Sequence, residues 1–511
     1  MGRWVYVALI AGAFVACSLE DPSPSSDGRN SQAGKGGDED GGEPPARAGS
    51  AASSGGQAGV SAGGAAASGP QTGGQGGAGH DTGGEPSQAE GGDTGHPAGG
   101  DGGARGTCDP TLCQNDGTCP AGASSCRCTG GFTGPRCELP RFEVLEPPVG
   151  ATYMVASGIS ADGQVVVGKV TFPTYSAAYR WTRATGVVLL DRLPDDDAGA
   201  AAQISADGKV VIGSSGTSGM ALEPVVWSGA KPPQLLASLS LKAMTATHVN
   251  AKGNVVAGVA SRPDDTFVAF RWTDATGPVE LGFGGSDDPV SVAAISADGA
   301  TIVANWGASQ AFVWTKAAGA KLLAPLPGDE DAVVQGMSAD GKTIIGNSLS
   351  AEGVTSKRVL WINGAAPVQL DPLDAGTGWT CGGGPIQTCT TVYDDGSLVY
   401  TQRESAPVRY SADGLQPFAK IAGKMACIAV APTVGPAGKV VGTCFGPPLA
   451  VTWDADGNVA TLADVLTQAG ADAFLLAEST VSIVRAVSAN GDTVVGDNMF
   501  AHLVWVARPP Q

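Results

Sequence analysis

The chain has 511 residues, 77 of them glycine, and 49 acidic against 30 basic side chains give it a formal net charge of -19. That balance supplies no electrostatic reason to bind nucleic acid or an anionic membrane surface. Of its four histidines, His80 and His96 fall in low-complexity sequence, so only His248 and His502 are left for imidazole chemistry and little room remains for a His-rich metal site.

Residues 1–17 carry one positive charge at Arg3, an apolar run from Trp4 to Ala16, and then a cysteine. The run is too short to span a membrane and has the layout of a secretory signal. Phe14-Val15-Ala16-Cys17 resembles the lipobox of bacterial lipoproteins, in which the cysteine becomes the lipidated first residue of the mature protein. The cysteine count agrees: six belong to a following module and four to the repeats, which leaves Cys17 as the odd one. The resemblance implies an exported protein, lipid-anchored at the bacterial cell surface at the outer membrane, that meets the membrane through its anchor alone.

Residues 18–106 are Gly, Ala, Ser, Asp and Pro with almost no large apolar side chain. Such a segment cannot bury enough surface to offset the entropy of ordering, and is expected to be a disordered tether. Roughly ninety Gly-rich residues give an end-to-end distance of about 50 Å.

Residues 107–139 hold Cys108, Cys113, Cys119, Cys126, Cys128 and Cys137. A piece this small has no room for a sufficient core, so in an oxidising compartment its cysteines imply disulfide staples, with many connectivities open on spacing alone. The pattern, with Gly131-Phe132-Thr133-Gly134 before the last cysteine, resembles an epidermal growth factor-like module. The resemblance implies pairs Cys108 with Cys119, Cys113 with Cys126, and Cys128 with Cys137. Calcium-binding members carry carboxylates just before the first cysteine, where this chain has Ala104-Arg-Gly-Thr107, so the non-calcium type and a spacer role are expected.

From residue 141 to 511 one pattern returns. Gly158-Ile-Ser-Ala-Asp-Gly163 followed by Gln-Val-Val-Val-Gly168 comes back with its turn glycine at Gly208, Gly253, Gly299, Gly341, Gly396, Gly438 and Gly491. The spacings are 45, 45, 46, 42, 55, 42 and 53 residues, the period of four-stranded propeller blades. Each copy runs as an apolar strand, an Asp-Gly turn, a Val-rich strand, a variable loop, an aromatic strand and a short last strand. The aromatic strand ends near Trp181, Trp227, Trp272, Trp314, Trp361, Tyr410, Trp453 or Trp505, which recurrence assigns to packing between blades. The expected fold is all-β, a propeller of eight blades, with seven compatible because the copies at Gly396 and Gly438 are weak. The last copy stops at its third strand while Arg141-Phe-Glu-Val-Leu145 has no place in the first, so this N-terminal strand is expected to complete the final blade.

The repeats resemble the bacterial HAF-repeat extracellular proteins, named for a His-Ala-Phe triplet before the tryptophan; Ala177-Ala178-Tyr179, Val268-Ala269-Phe270 and Gln310-Ala311-Phe312 stand there without the histidine. Leu-Pro before the next first strand, at Leu193-Pro194 and Leu326-Pro327, also fits. The resemblance implies a secreted or surface propeller and carries no catalytic residue.

The Asp-Gly and Thr-Gly turns are short and alike and would close one face. The connections leaving the second and fourth strands vary in length and would collect on the other, where recognition is expected. Several are acidic: Asp195, Asp196 and Asp197; Asp264 and Asp265; Asp287 and Asp288; Asp329, Glu330 and Asp331. They form a candidate binding face for calcium or a basic partner, set against solvated loops of an acidic extracellular protein. The Ser-Ala-Asp-Gly element loosely resembles the Asp-box of sialidase propellers, but a Ser and Asp capping their own turn explain it more simply. No Gly-x-Ser-x-Gly elbow, P-loop, Arg cluster or His-rich pattern appears. Cys381, Cys389, Cys427 and Cys444 are expected to pair, with Cys381–Cys389 and Cys427–Cys444 favoured by proximity and two other connectivities open. The sequence therefore points to a monomeric, non-catalytic surface lipoprotein without a cofactor, whose propeller binds an extracellular glycan or protein. The rivals are a polysaccharide hydrolase or lyase using loop carboxylates, and a structural envelope protein.

Overall fold

The computed structural model describes residues 108–121, 123–220, 222–229, 231–236, 241–286, 288–307, 309–351, 356–370, 390–393, 397–401, 407–424, 427–430, 440–472, 476, 481–498 and 503–510. Cys17, residues 18–106, Asp287, Cys381, Cys389 and His502 lie outside them.

Among the described residues the repeats form eight antiparallel sheets of four strands each, which we number as blades 1 to 8 along the chain. Blade 1 is Tyr153–Ile159, Val165–Thr171, Ser176–Thr182 and Gly186–Leu189, hydrogen-bonded in that order. The first strands of successive blades touch one another around the circle, and the first strand of blade 8, Ile483–Val487, touches that of blade 1. First strands are therefore innermost and the ring is closed. Its closure is made as expected: Phe142–Val144 pairs antiparallel with Val504–Ala507 and becomes the outermost strand of blade 8, Glu143 standing opposite Val506.

The core lies between blades rather than within them. Eight apolar clusters each join one blade to the next; Met154, Val166 and Tyr179 of blade 1, for example, pack with Val495 and Val506 of blade 8. A sheet sandwiched on both faces demands a continuous apolar run, which is why the second strands read Val-Val-Val rather than alternating. The glycine that ends this run has a steric cause. A Cβ at Gly168 would collide with the carbonyl oxygen of Val155 and with the Tyr179 ring, and at Gly346 with that of Val333 and with Trp361. The recurrent aromatic thus lies on the recurrent glycine, and the repeat tryptophans are buried except for the half-buried Trp314.

Two features have no counterpart in the repeat. A helix, α1 (Leu462–Gln468), follows the outer strand of blade 7, capped by the Thr461 hydroxyl accepting from the Asp464 amide, and buries Leu462 and Leu466 in the core between blades 7 and 8. The Cys427–Cys444 disulfide joins directly opposed residues of the first two strands of blade 7.

The N-terminal module is held by Cys108–Cys119, Cys113–Cys126 and Cys128–Cys137. Its hairpin, Phe132–Thr133 with Leu139–Pro140, leads into the closing strand through Arg141 alone.

Candidate functional site

The two faces of the ring are built on different principles. On one, Ser160 accepts from the Val165 amide at 3.0 Å and donates to Asp162 at 2.5 Å, and Asp162 accepts from the Gln164 amide at 3.0 Å. The same triangle recurs at Ser205/Asp207, Ser296/Asp298, Ser338/Asp340 and Ser488/Asn490. The alanine between them is not idle. Its amide donates to the matching carbonyl of the next blade, from Ala489 to Ala161 at 3.0 Å, Ala161 to Ala206 at 2.9 Å, Ala251 to Ala297 at 3.2 Å and Ala297 to Ala339 at 2.7 Å. Ser-Ala-Asp-Gly is therefore a turn that caps itself and fastens to its neighbour.

Inside this face the inner strands share a device that the sequence pattern hides. Six of them carry a one-residue bulge, at Ser157, Ala202, Thr247, Ala293, Gln335 and Arg485. Side chains at or beside the bulges stitch blades together: Ser157 donates to the Ala201 carbonyl at 2.8 Å, and the Val249 amide donates to Gln203 at 2.7 Å. Asn305 both donates to the carbonyl and accepts from the amide of Val334, at 2.8 and 2.7 Å. His248 belongs to this set. Its ring contacts the Thr247 hydroxyl at 2.9 Å, and burial pushes its pKa down to about 4 against a hydrogen bond to the Ala293 backbone. At blade 8 the bulge residue Arg485 grips Asp497 through two bonds of 2.6 and 3.1 Å, and burial, then Asp497, pushes the neighbouring Tyr153 phenol up to about 12.

The opposite face holds the variable connections, and the described members of the sequence-selected acids fall on an arc from blade 1 to blade 5. At least five of the nine described carboxylates are engaged, mostly by groups on neighbouring strands and loops. Asp196 accepts from Ser215 at 2.6 Å, and the same hydroxyl accepts from the Leu193 amide at 3.0 Å. Asp329 repeats this with Ser348 and Leu326, and adds Lys357 at 2.7 Å. Leu-Pro-x-Asp is thus a loop lock, with positive φ at Asp195 and at Gly328 in the third place. Asp197 accepts from the Ser218 amide at 2.5 Å, Asp264 from the Thr266 amide and hydroxyl, and Asp265 pairs with Lys242 at 2.7 Å. Glu330 ties its amide to Leu349, Asp331 opens the inner strand of blade 5, and Asp288 is exposed beside Gly307. Among the described residues the only three or more Cys, His, Asp or Glu ligand atoms within 4.8 Å of one another are those of Cys108, Cys113 and Cys126, which are in disulfides. Among the described residues the acidic arc holds no such cluster.

Among the described residues, one tryptophan on this face falls outside the repeat position. Trp306 ends the second strand of blade 4, half-buried, where the corresponding residues are the fully buried Ser215, Ala260 and Ser348. Its ring lies 6.1 Å from that of Phe312, which stacks at 4.9 Å on Phe283. Exposed Gln310 stands directly opposite it in the sheet, and exposed Asp288 lies beside the next residue, Gly307. Its departure from the repeat position was the available sequence signal.

No family model matches the chain, and no curated protein matches it. Solved structures similar to it include the β-propeller domain of the trilobed protease from Pyrococcus furiosus, at 13% identity and TM-score 0.39 over 61% of this chain and 96% of that one. An oligogalacturonate lyase from Vibrio parahaemolyticus follows at 11% identity and TM-score 0.40, over 72% and 97%. The putative TolB from Agrobacterium tumefaciens is at 16% and 0.31, over 42% and 79%. At these identities the likeness concerns the propeller fold alone.

Proposed function

We propose that the protein is a non-catalytic, exported surface protein that binds an extracellular glycan on the variable-loop face of its propeller, near Trp306. The lipobox-like Cys17, the epidermal growth factor-like cysteine pattern and the HAF-like repeats support the surface location. The observation that carries the binding role is the asymmetry of the two faces. One spends its polar groups fastening turn to turn, whereas the other is irregular and bears Trp306, the described tryptophan that stands outside the repeat position. An indole backed by two aromatic rings and bordered by polar side chains suits the apolar face of a sugar with hydroxyls at its edge. The loop carboxylates support binding over hydrolysis, since at least five of the nine described are taken up by neighbouring side chains and amides, and among the described residues no three of their oxygens converge.

The test is binding of the purified protein to a broad glycan array, with calcium and then with chelator, alongside a Trp306→Ala variant. Selective binding lost in the variant supports the reading. Silence of the unmodified protein on every glycan overturns it and directs attention to a protein partner.

A further inference from the structure

We propose that the three-disulfide module is the clasp of the ring: it holds the closing strand in blade 8, so that closure of the propeller depends on a unit outside it. The closing strand is only three residues long, Phe142–Val144, and so short a pairing recovers little of the entropy lost on fixing it. What surrounds it compensates. Arg508, the residue after the third strand of blade 8, donates from its amide to the Arg141 carbonyl at 2.7 Å and from Nη1 to the Pro140 carbonyl at 2.8 Å and to Glu143 at 2.7 Å. The Arg141 guanidinium returns a bond to the Arg508 carbonyl at 3.3 Å, and Glu143 reaches across to Arg183 of blade 1 at 3.5 Å. The junction between module and ring is thus written into both.

The module is itself anchored at a second point. The Arg141 amide donates to the Gly131 carbonyl at 2.7 Å, folding the chain back on the Gly130-Gly131 turn. That turn lies backbone against backbone on Gly470, just past α1. A Cβ at Gly131 would collide with the Gly470 carbonyl, and one at Gly470 would come within 2.7 Å of the Gly131 amide nitrogen. Both have positive φ, 79° and 88°, so both the conformation and the approach require glycine. Gly470 in turn is fixed by its amide donating to Thr467 at 2.9 Å, and α1 is rooted in the core between blades 7 and 8. Finally Cys128–Cys137 ties the chain just ahead of the turn to the chain just ahead of Leu139–Pro140, so the turn and the first hairpin strand lie inside the loop it closes, and a cross-link of this kind removes open conformations of the segment it spans. Module, α1 and blade 8 therefore form one closed circuit around residues 142–144. This holds whatever the variable face binds.

Hydrogen exchange of the full chain, read by mass spectrometry, tests this with two variants. Cys128→Ser/Cys137→Ser opens the staple, and Gly131→Leu breaks the docking with every disulfide retained. Both are expected to raise exchange at least about tenfold in peptides covering 142–145 and 504–507, with those covering 267–273 and 343–349 unchanged. Seam peptides as slow as in the unmodified protein would overturn the proposal. So would equal acceleration in all blades, including outright failure to fold, which would make the module a general stabiliser instead of a clasp.

Discussion

The indole N–H of Trp453 donates to the carbonyl oxygen of Ala419 at 2.8 Å, reaching from the third strand of blade 7 to the residue two past the outer strand of blade 6. Trp227 with Asp191 and Trp361 with Ala324 repeat this bond at 2.7 and 2.8 Å. Trp505 does not: its indole nitrogen is buried with no partner among the described residues. The residue in the matching place is Ala463, which α1 has drawn into its first turns, and whose carbonyl accepts from the Thr467 hydroxyl. Trp453→Phe and Trp505→Phe remove the same atoms from equivalent fully buried sites, but only the first strands an acceptor. Trp453→Phe should be the more destabilising by about 1–3 kcal/mol in urea denaturation; equal losses would show that the bond adds nothing.

Asn305 fills both backbone bonds of Val334 across the interface of blades 4 and 5. Asn305→Ala leaves an amide and a carbonyl without partners on a residue that is 3% exposed. A loss of about 2–4 kcal/mol is expected. Asn305→Asp keeps the acceptor and loses the donor, and should fall between the two on the same denaturation curve.

His248 sets a pH dependence. Its folded pKa of about 4 lies below the ordinary value of 6.5, so between these values the unfolded chain binds the extra proton. Stability should therefore be full above pH 6.5, fall as pH drops toward 4, and lose on the order of 3 kcal/mol in total. Melting temperatures of His248→Gln measured over this window should show that component of the slope removed.

Asp340 acts in the opposite sense, lower on the scale. The Lys342 ammonium first, with the Ser338 hydroxyl and the Lys342 amide, holds its pKa at about 2. A depressed carboxylate contributes stability that is complete above the unfolded value near 4 and is lost as pH falls through about 2. Asp298 is lowered in the same direction by Ser296 and then by the Ala300 amide. Asp340→Asn should flatten acid unfolding between pH 4 and 2; an unchanged acid limb would show that the turn carboxylates do not govern it.

Much of the architecture is legible in the sequence because it is local and repeated. The Asp-Gly turn, the Val-rich run and the recurring tryptophan each lie within a few residues of their cause, and a strand left over at Arg141 matched one missing after Trp505. The stitches between blades are not legible in this way. Asn305 finds its partner 29 residues away, and the bulge that aims Ser157 at the Ala201 carbonyl of blade 2 leaves no mark on an apolar strand. The acidic arc was visible as composition, but not that Asp196 is held by Ser215, 19 residues on. Trp306 was hidden among the repeat tryptophans because its distinction is to stand on a second strand instead of a third. The helix α1 is only seven residues long and buries just Leu462 and Leu466, too short a pattern to mark a helix among strands.

The junction at Arg141 also decides how the protein carries a mechanical load. A tug on the chain ahead of Cys108 enters a unit whose cross-links stop it from paying out length. It then passes into the strand Phe142–Val144, which is hydrogen-bonded along its length to Val504–Ala507 and braced by Arg508. With the clasp in place, part of that force is borne by α1 through Gly131 and Gly470, instead of all of it falling on three residues of pairing. Pulled from the side of Cys108, the propeller would in this way resist being unzipped at its seam.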